Sequence, residues 1–130
     1  MLMIQLDART HGYTILLKDE IQIQGVQNLD FELRNELAGL EGSPFVIVVD
    51  AIAFQHFTAD AQALFEETLE FCLESGLVRI SVLAVSTAHA GLFCEMMLRV
   101  DLMDLYQYLD LSYEEDWRTE LETFLEEPFD

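Results

Sequence analysis

The run PFVIVV, residues 44–49, limits the possible folds more than any other stretch of the chain. Phe45 to Val49 are all apolar, and four of the five are β-branched. A strand built from them is apolar on both faces, which suits the centre of a parallel sheet covered on both sides. A second run, RISVLAV at 79–85, has the same character. Between them, Thr58 to Ser75 places Ala61, Leu64, Phe65, Leu69 and Cys72 on one helical face, with Glu66, Glu67, Glu70 and Glu74 on the other. Gly76 closes that helix. Strand, amphipathic helix and strand in succession predict an α/β chain with a sheet parallel at least in its centre.

The flanks extend the pattern. Residues 2–6 form a short apolar run, and GYTILLKDEIQI at 12–23 is β-rich with imperfect alternation. The two meet at RTHG, so a hairpin is expected to supply an antiparallel edge. Leu29, Leu33, Leu37 and Leu40 outline an amphipathic helix ending near Gly39 or Gly42. AGLFCEMMLRVDLMDL at 90–105 reads as helix and YQYLDL at 106–111 as a short strand. SYEEDWRTELETFLEE at 112–127 reads as a last helix, opened by a Ser112–Glu115 capping box. Its Trp117, Leu121, Phe124 and Leu125 are expected on the sheet, leaving a dense set of acids for water or a basic partner. There is no repeat, linker or low-complexity tract, so residues 1–130 are expected to form a single domain.

Charge narrows the function. The chain has 25 acidic residues against 6 basic ones, a net −19, which repels phosphate backbones and anionic membranes. Nucleic-acid binding is disfavoured; a basic protein partner or simple solubility fits better. No apolar run nears the ~18 residues of a membrane span, and MLMIQLDART lacks the layout of a signal peptide. A cytoplasmic protein, not inserted in a membrane, is expected. Cys72 and Cys94 lack metal-binding or redox spacing and read as thiols in a reducing compartment.

Catalysis finds little support. There is no nucleophile motif, phosphate cradle or metal-ligand spacing, and His11, His56 and His89 are scattered. Ser86, His89 and Cys94 are near one another along the chain, but a histidine at a helix start more often caps or packs. Asp50 and Asp60 are ten residues apart, one at a strand end and the other in a helix, and do not make a carboxylate pair. No enzyme activity, cofactor or metal is expected.

The stretch VVDAIAFQHFTADAQALF, residues 48–65, is the candidate site. An apolar run meets Asp50, Phe54 and Phe57 follow, and Thr58-Ala59-Asp60-Ala61 opens a helix with Thr58 as N-cap and Asp60 in the first turn. VIVVDAIAFQHFTADA resembles the central strand and switch corner of the STAS domain, the fold of bacterial anti-sigma-factor antagonists and of sulfate-transporter tails. ILLKDEI and LAVSTAHAGLF resemble that family's neighbouring segments, and the likeness spans roughly residues 13 to 110. The resemblance implies a mixed sheet of four to five strands with about four helices mainly on one face.

It also implies a regulatory protein-interaction module. In the family's antagonists, a GHKL-type kinase that is also the anti-sigma factor phosphorylates a serine at this corner, and the added charge breaks their complex. Counted from Asp50, that serine falls on Ala59, its second serine on Asp60 and its glycine on Ala61. The phosphorylatable hydroxyl is therefore missing from its usual place. The corner is either a constitutive docking surface or one switched elsewhere, with Thr58 as the candidate phosphorylation site. Partner contacts are expected at His56, Phe57, Thr58, Ala59, Asp60, Gln62, Ser86, Thr87 and His89. Two other readings stand beside this one: a non-switching subunit docking on the ATPase of a lipid or anion transporter, and a carrier with an apolar pocket under the Met-rich helix. The segment at 92–105 is apolar nearly all round, so either it folds over the core or it exposes a Met-rich face suited to a partner or homodimer.

Overall fold

A computed structural model describes residues 2–7 and 12–110 of the chain. The helix expected at 112–127 and residues 9–11 of the RTHG link lie outside the described residues. Strand β1 (Leu2–Asp7) pairs antiparallel with β2 (Gly12–Ile21), from Leu2 opposite Leu17 to Asp7 opposite Gly12, which gives the expected antiparallel edge. Helix α1 (Ile23–Leu40), β3 (Phe45–Phe57), α2 (Ala59–Glu74), β4 (Leu77–Ala84), α3 (Thr87–Arg99), a 3-10 turn (Met103–Leu105) and β5 (Tyr106–Asp110) follow. The sheet order is β1-β2-β3-β4-β5, with β2 to β5 mutually parallel.

Each crossover from β2 to β5 steps in the same direction across the sheet. Right-handed crossovers then put all three helices on one face, and the packing agrees. Phe45, Ile47, Val49 and Ala51 of β3 share one buried cluster with Val26, Leu29, Leu33 and Leu37 of α1, Ala61, Phe65, Leu69 and Cys72 of α2, and Phe93, Met96 and Met97 of α3. Register carries this layer across the strands, as Ile15, Val49 and Val82 lie side by side. Val46, Val48, Ser81 and Leu83 on the opposite face are also buried, which accounts for the unbroken apolar run of β3.

Two expectations are corrected. Strand β3 does not stop at Asp50. β4 pairs with it as far as Asp50 opposite Leu83, but β2 continues through Ala53, Phe54 and His56 to Ile21 opposite Phe57. Register shifts near Lys18 and Glu20, with Asp19 at φ 59°, add twist to this two-stranded extension. The helix expected over 90–105 runs instead from Thr87 to Arg99. It closes in a Schellman arrangement in which Leu102 N–H donates to Met97 O at 2.9 Å across Asp101 at φ 62°.

That closure answers the question posed by the Met-rich segment. Phe93, Met96, Met97, Val100 and Leu102 are core residues, so the chain folds over the sheet rather than exposing a methionine face. Leu98 (63% exposed) and Met103 (40%) are what remains outside, too little for the Met-rich homodimer surface considered above.

Gly76 links α2 to β4 at φ 116°, a conformation that L side chains rarely adopt. A Cβ there would also sit 3.0 Å from Ser43 O. Gly76→Ala is expected to lower the unfolding free energy by roughly 1–3 kcal/mol, read as a reduced urea midpoint at unchanged slope.

Cys72 and Cys94 are free thiols. Burial, and then the nearby Asp30 carboxylate, push the Cys72 thiol up to about 12, with Arg34 pulling the other way. Its folded value is raised, so the neutral thiol contributes stability below its unfolded value, and that contribution is lost as pH rises. Stability should fall by up to about 1.4 kcal/mol per unit above the unfolded thiol value near 9, and level off near 12. Cys72→Ala, compared with wild type in urea melts across that range, should remove this slope.

Candidate functional site

Four segments meet at the carboxyl end of the parallel strands, where open α/β sheets present their binding crevices. They are the end of β2, the end of the β3 extension, the first turn of α2 and the first turn of α3. Because the β2–β3 ribbon outruns β4, it carries Gln55, His56 and Phe57 past the rest of the sheet.

At the α2 start, Thr58 occupies the N-cap position in extended backbone, but its hydroxyl does not cap the helix. Thr58 Oγ1 donates to Asp60 Oδ1 at 2.7 Å, and the same carboxylate oxygen accepts from Ala61 N at 2.9 Å. Asp60 takes over the capping role expected of Thr58, with its charge at the positive end of the helix. Thr58 N donates to Ile21 O at 3.0 Å, which ties the corner to β2.

At the α3 start, Ser86 is a working N-cap: its Oγ accepts from His89 N at 3.1 Å. The His89 ring spans to the β3 extension, with Nε2 2.9 Å from Gln55 O. A carbonyl can only accept, so Nε2 carries the proton; Nδ1 is buried without a partner. Ser86 and His89 are thus committed to structural bonds, and the Ser86–His89–Cys94 grouping does not form a triad. Among the described residues no group of three or more His, Cys, Asp or Glu side chains could hold a metal ion.

Beneath the corner lies an aromatic floor. Phe54 packs against Phe57 (centroids 4.8 Å apart), the His89 ring (4.9 Å) and Phe93 (5.5 Å), and Phe57 against Phe65 (5.1 Å). Phe57 is buried, so it supports the corner from below rather than facing outward. His56, Ala59, Asp60 and Thr87 are exposed, and Thr58, Gln62, Ser86 and His89 are half-buried.

Sequence reading missed the β2 contribution. Glu20 Oε2 lies 2.8 Å from His56 Nε2, and Gln22 Nε2 donates to Glu20 Oε1 at 3.0 Å. The Gln22 bond first, and His56 second, hold the Glu20 carboxyl below its usual range. Only the pairing of Glu20 with His56 across the ribbon reveals this contact, and no spacing along the chain encodes it.

No protein-family model and no curated protein sequence matches the chain. Among solved structures, it is similar to the Bacillus cell-fate determinant SpoIIAA in its phosphorylated form, with a TM-score of 0.60 at 10% identity over 94% of this chain and 99% of that one. It is also similar to the anti-sigma factor antagonist SpoIIAA in its unphosphorylated form, with a TM-score of 0.57 at 13% identity over 95% and 98%. The chain has the STAS fold. At such low identity the likeness speaks for the architecture alone. Within that STAS fold, no helix among the described residues is long and apolar enough to cross a membrane.

Proposed function

We propose that this STAS-fold chain is a regulatory protein-interaction module of the anti-sigma-factor-antagonist type, which docks a partner protein through the corner at residues 56–62 and the adjoining turn at 86–89. The observation that carries this reading is the His89–Gln55 bond. It joins the start of α3 to the end of β3, just before α2, as one presented surface, supported by the Phe54–Phe57–Phe93 cluster. The likeness to SpoIIAA supports the class of function, since a protein of this architecture acts as an anti-sigma factor antagonist.

On the count from Asp50, alanine stands where the phosphorylatable serine would be, and the neighbouring Asp60 carries a permanent negative charge. Thr58 is the remaining hydroxyl, already donating to Asp60. Phosphate on Thr58 would replace that bond with repulsion between two anions, so a Thr58 switch would act by opening the turn. The reading favoured here is constitutive docking.

The test is a pull-down from lysate of the source cells with wild-type protein and Asp60→Lys as baits. Capture of a GHKL-type kinase or another sigma-regulatory protein by wild type alone supports the reading. Capture of a transporter ATPase by wild type alone would instead assign the chain to a transporter. Equal capture by both baits would remove the corner from the interface.

A further inference from the structure

The opposite end of the molecule carries a second feature. The C-terminal turns of α1 and α2 come together at the amino end of β3 and β4 and flank an open recess of about 370 Å³. Leu37, Ala38 and Phe71 give it apolar walls; Arg34, Glu41 and Glu74 give it charge. One wall already holds a guanidinium. Arg34 lies 4.1 Å over the Phe71 ring and its Nε bonds Asp30 Oδ2 at 2.9 Å, the arrangement by which aromatic rings and carboxylates receive arginine.

The remaining charge around the recess is unbalanced. Two helix C-termini, each the negative end of its dipole, meet there, and neither helix has a basic residue in its last turn. Among the described residues no ion pair involves Glu41 or Glu74. Two carboxylates and two negative helix ends therefore flank an open recess with mixed apolar and polar walls, in a chain of net charge −19. A flat acidic face would only attract cations loosely, whereas this recess has room for the stem as well as the charge of a long basic side chain.

We propose that this recess receives an arginine side chain from a basic partner protein, with the guanidinium between Glu41 and Glu74 and its methylene stem along Leu37 and Ala38. The site is separate from the corner, so it stands whether or not the corner docks a sigma regulator.

The experiment is an amide NMR titration of the full chain at near-physiological salt, which screens loose surface attraction. The probe is acetyl-Gly-Arg-Gly-amide, with the citrulline peptide as its uncharged control. The expected result is shifts confined to the amides of Leu37–Gly42 and Phe71–Gly76, absent with citrulline. Affinity should fall roughly tenfold in the Glu41→Gln/Glu74→Gln double variant. It should be unchanged in Glu32→Gln/Glu67→Gln, which removes two exposed acids from the same helices. Shifts spread over the acidic surface, no shifts at all, or unaltered affinity in the double variant would overturn the proposal. Tighter binding of spermidine than of the arginine peptide at the same amides would also overturn it, in favour of a small polyamine.

Discussion

Phe93→Ala is expected to cost roughly 3–5 kcal/mol of stability, the range for truncating a fully buried aromatic side chain. Phe93 has no exposed surface and packs on both Phe54 and Phe57, with centroids 5.5 and 6.2 Å apart. The loss combines apolar transfer, an unfilled cavity and the aromatic pair contacts. A domain of this size has about 5–15 kcal/mol to lose, so the variant should remain folded only at reduced temperature or denaturant. Phe31→Ala is the contrast: Phe31 is 68% exposed on α1, and its removal should change stability by less than about 0.5 kcal/mol. Urea melts of the two variants beside wild type check both values. A Phe93→Ala loss below 1 kcal/mol would mean that the floor beneath the corner is looser than its packing indicates.

The alternation of elements was legible because it depends on short-range patterning. The β-branched run at Phe45 to Val49 and the leucine spacing of α1 each settle their own conformation and faces. The length of β3 was not legible. Past Asp50 its residues stay extended because β2 pairs with them, and that partner is more than thirty residues away in sequence. The end of α3 was hidden for a related reason. Val100 and Leu102 continue an apolar helical pattern, yet they are buried by a left-handed turn at Asp101, a residue tolerated there but not diagnostic of it. At the corner, residue types pointed to a helix start. They did not show that Asp60, rather than Thr58, would accept the N-terminal hydrogen bond, since both have suitable oxygens and the choice is made by the geometry of the turn.

The division of labour within that turn makes Asp60 the most informative position at the corner. One oxygen of Asp60 accepts from both Thr58 Oγ1 and Ala61 N. Asp60→Asn keeps an oxygen able to accept both bonds and removes only the charge. Asp60→Lys removes the acceptor and puts a positive charge at the positive end of the α2 dipole, which costs about 1–2 kcal/mol of stability through lost capping and dipole repulsion. Both variants should therefore fold. If the partner reads the charge, both should weaken binding, Asp60→Asn by roughly tenfold for a close charge contact and Asp60→Lys, which reverses the charge, by more. If it reads the shape of the turn, Asp60→Asn should bind like wild type and Asp60→Lys should fail. His89→Gln sharpens the distinction, because a glutamine amide can still donate to Gln55 O in place of His89 Nε2 and preserve the juncture of α3 with the β3 extension. Binding retained in His89→Gln and lost in His89→Leu would assign His89 a positioning role. Loss in both would place the imidazole itself against the partner.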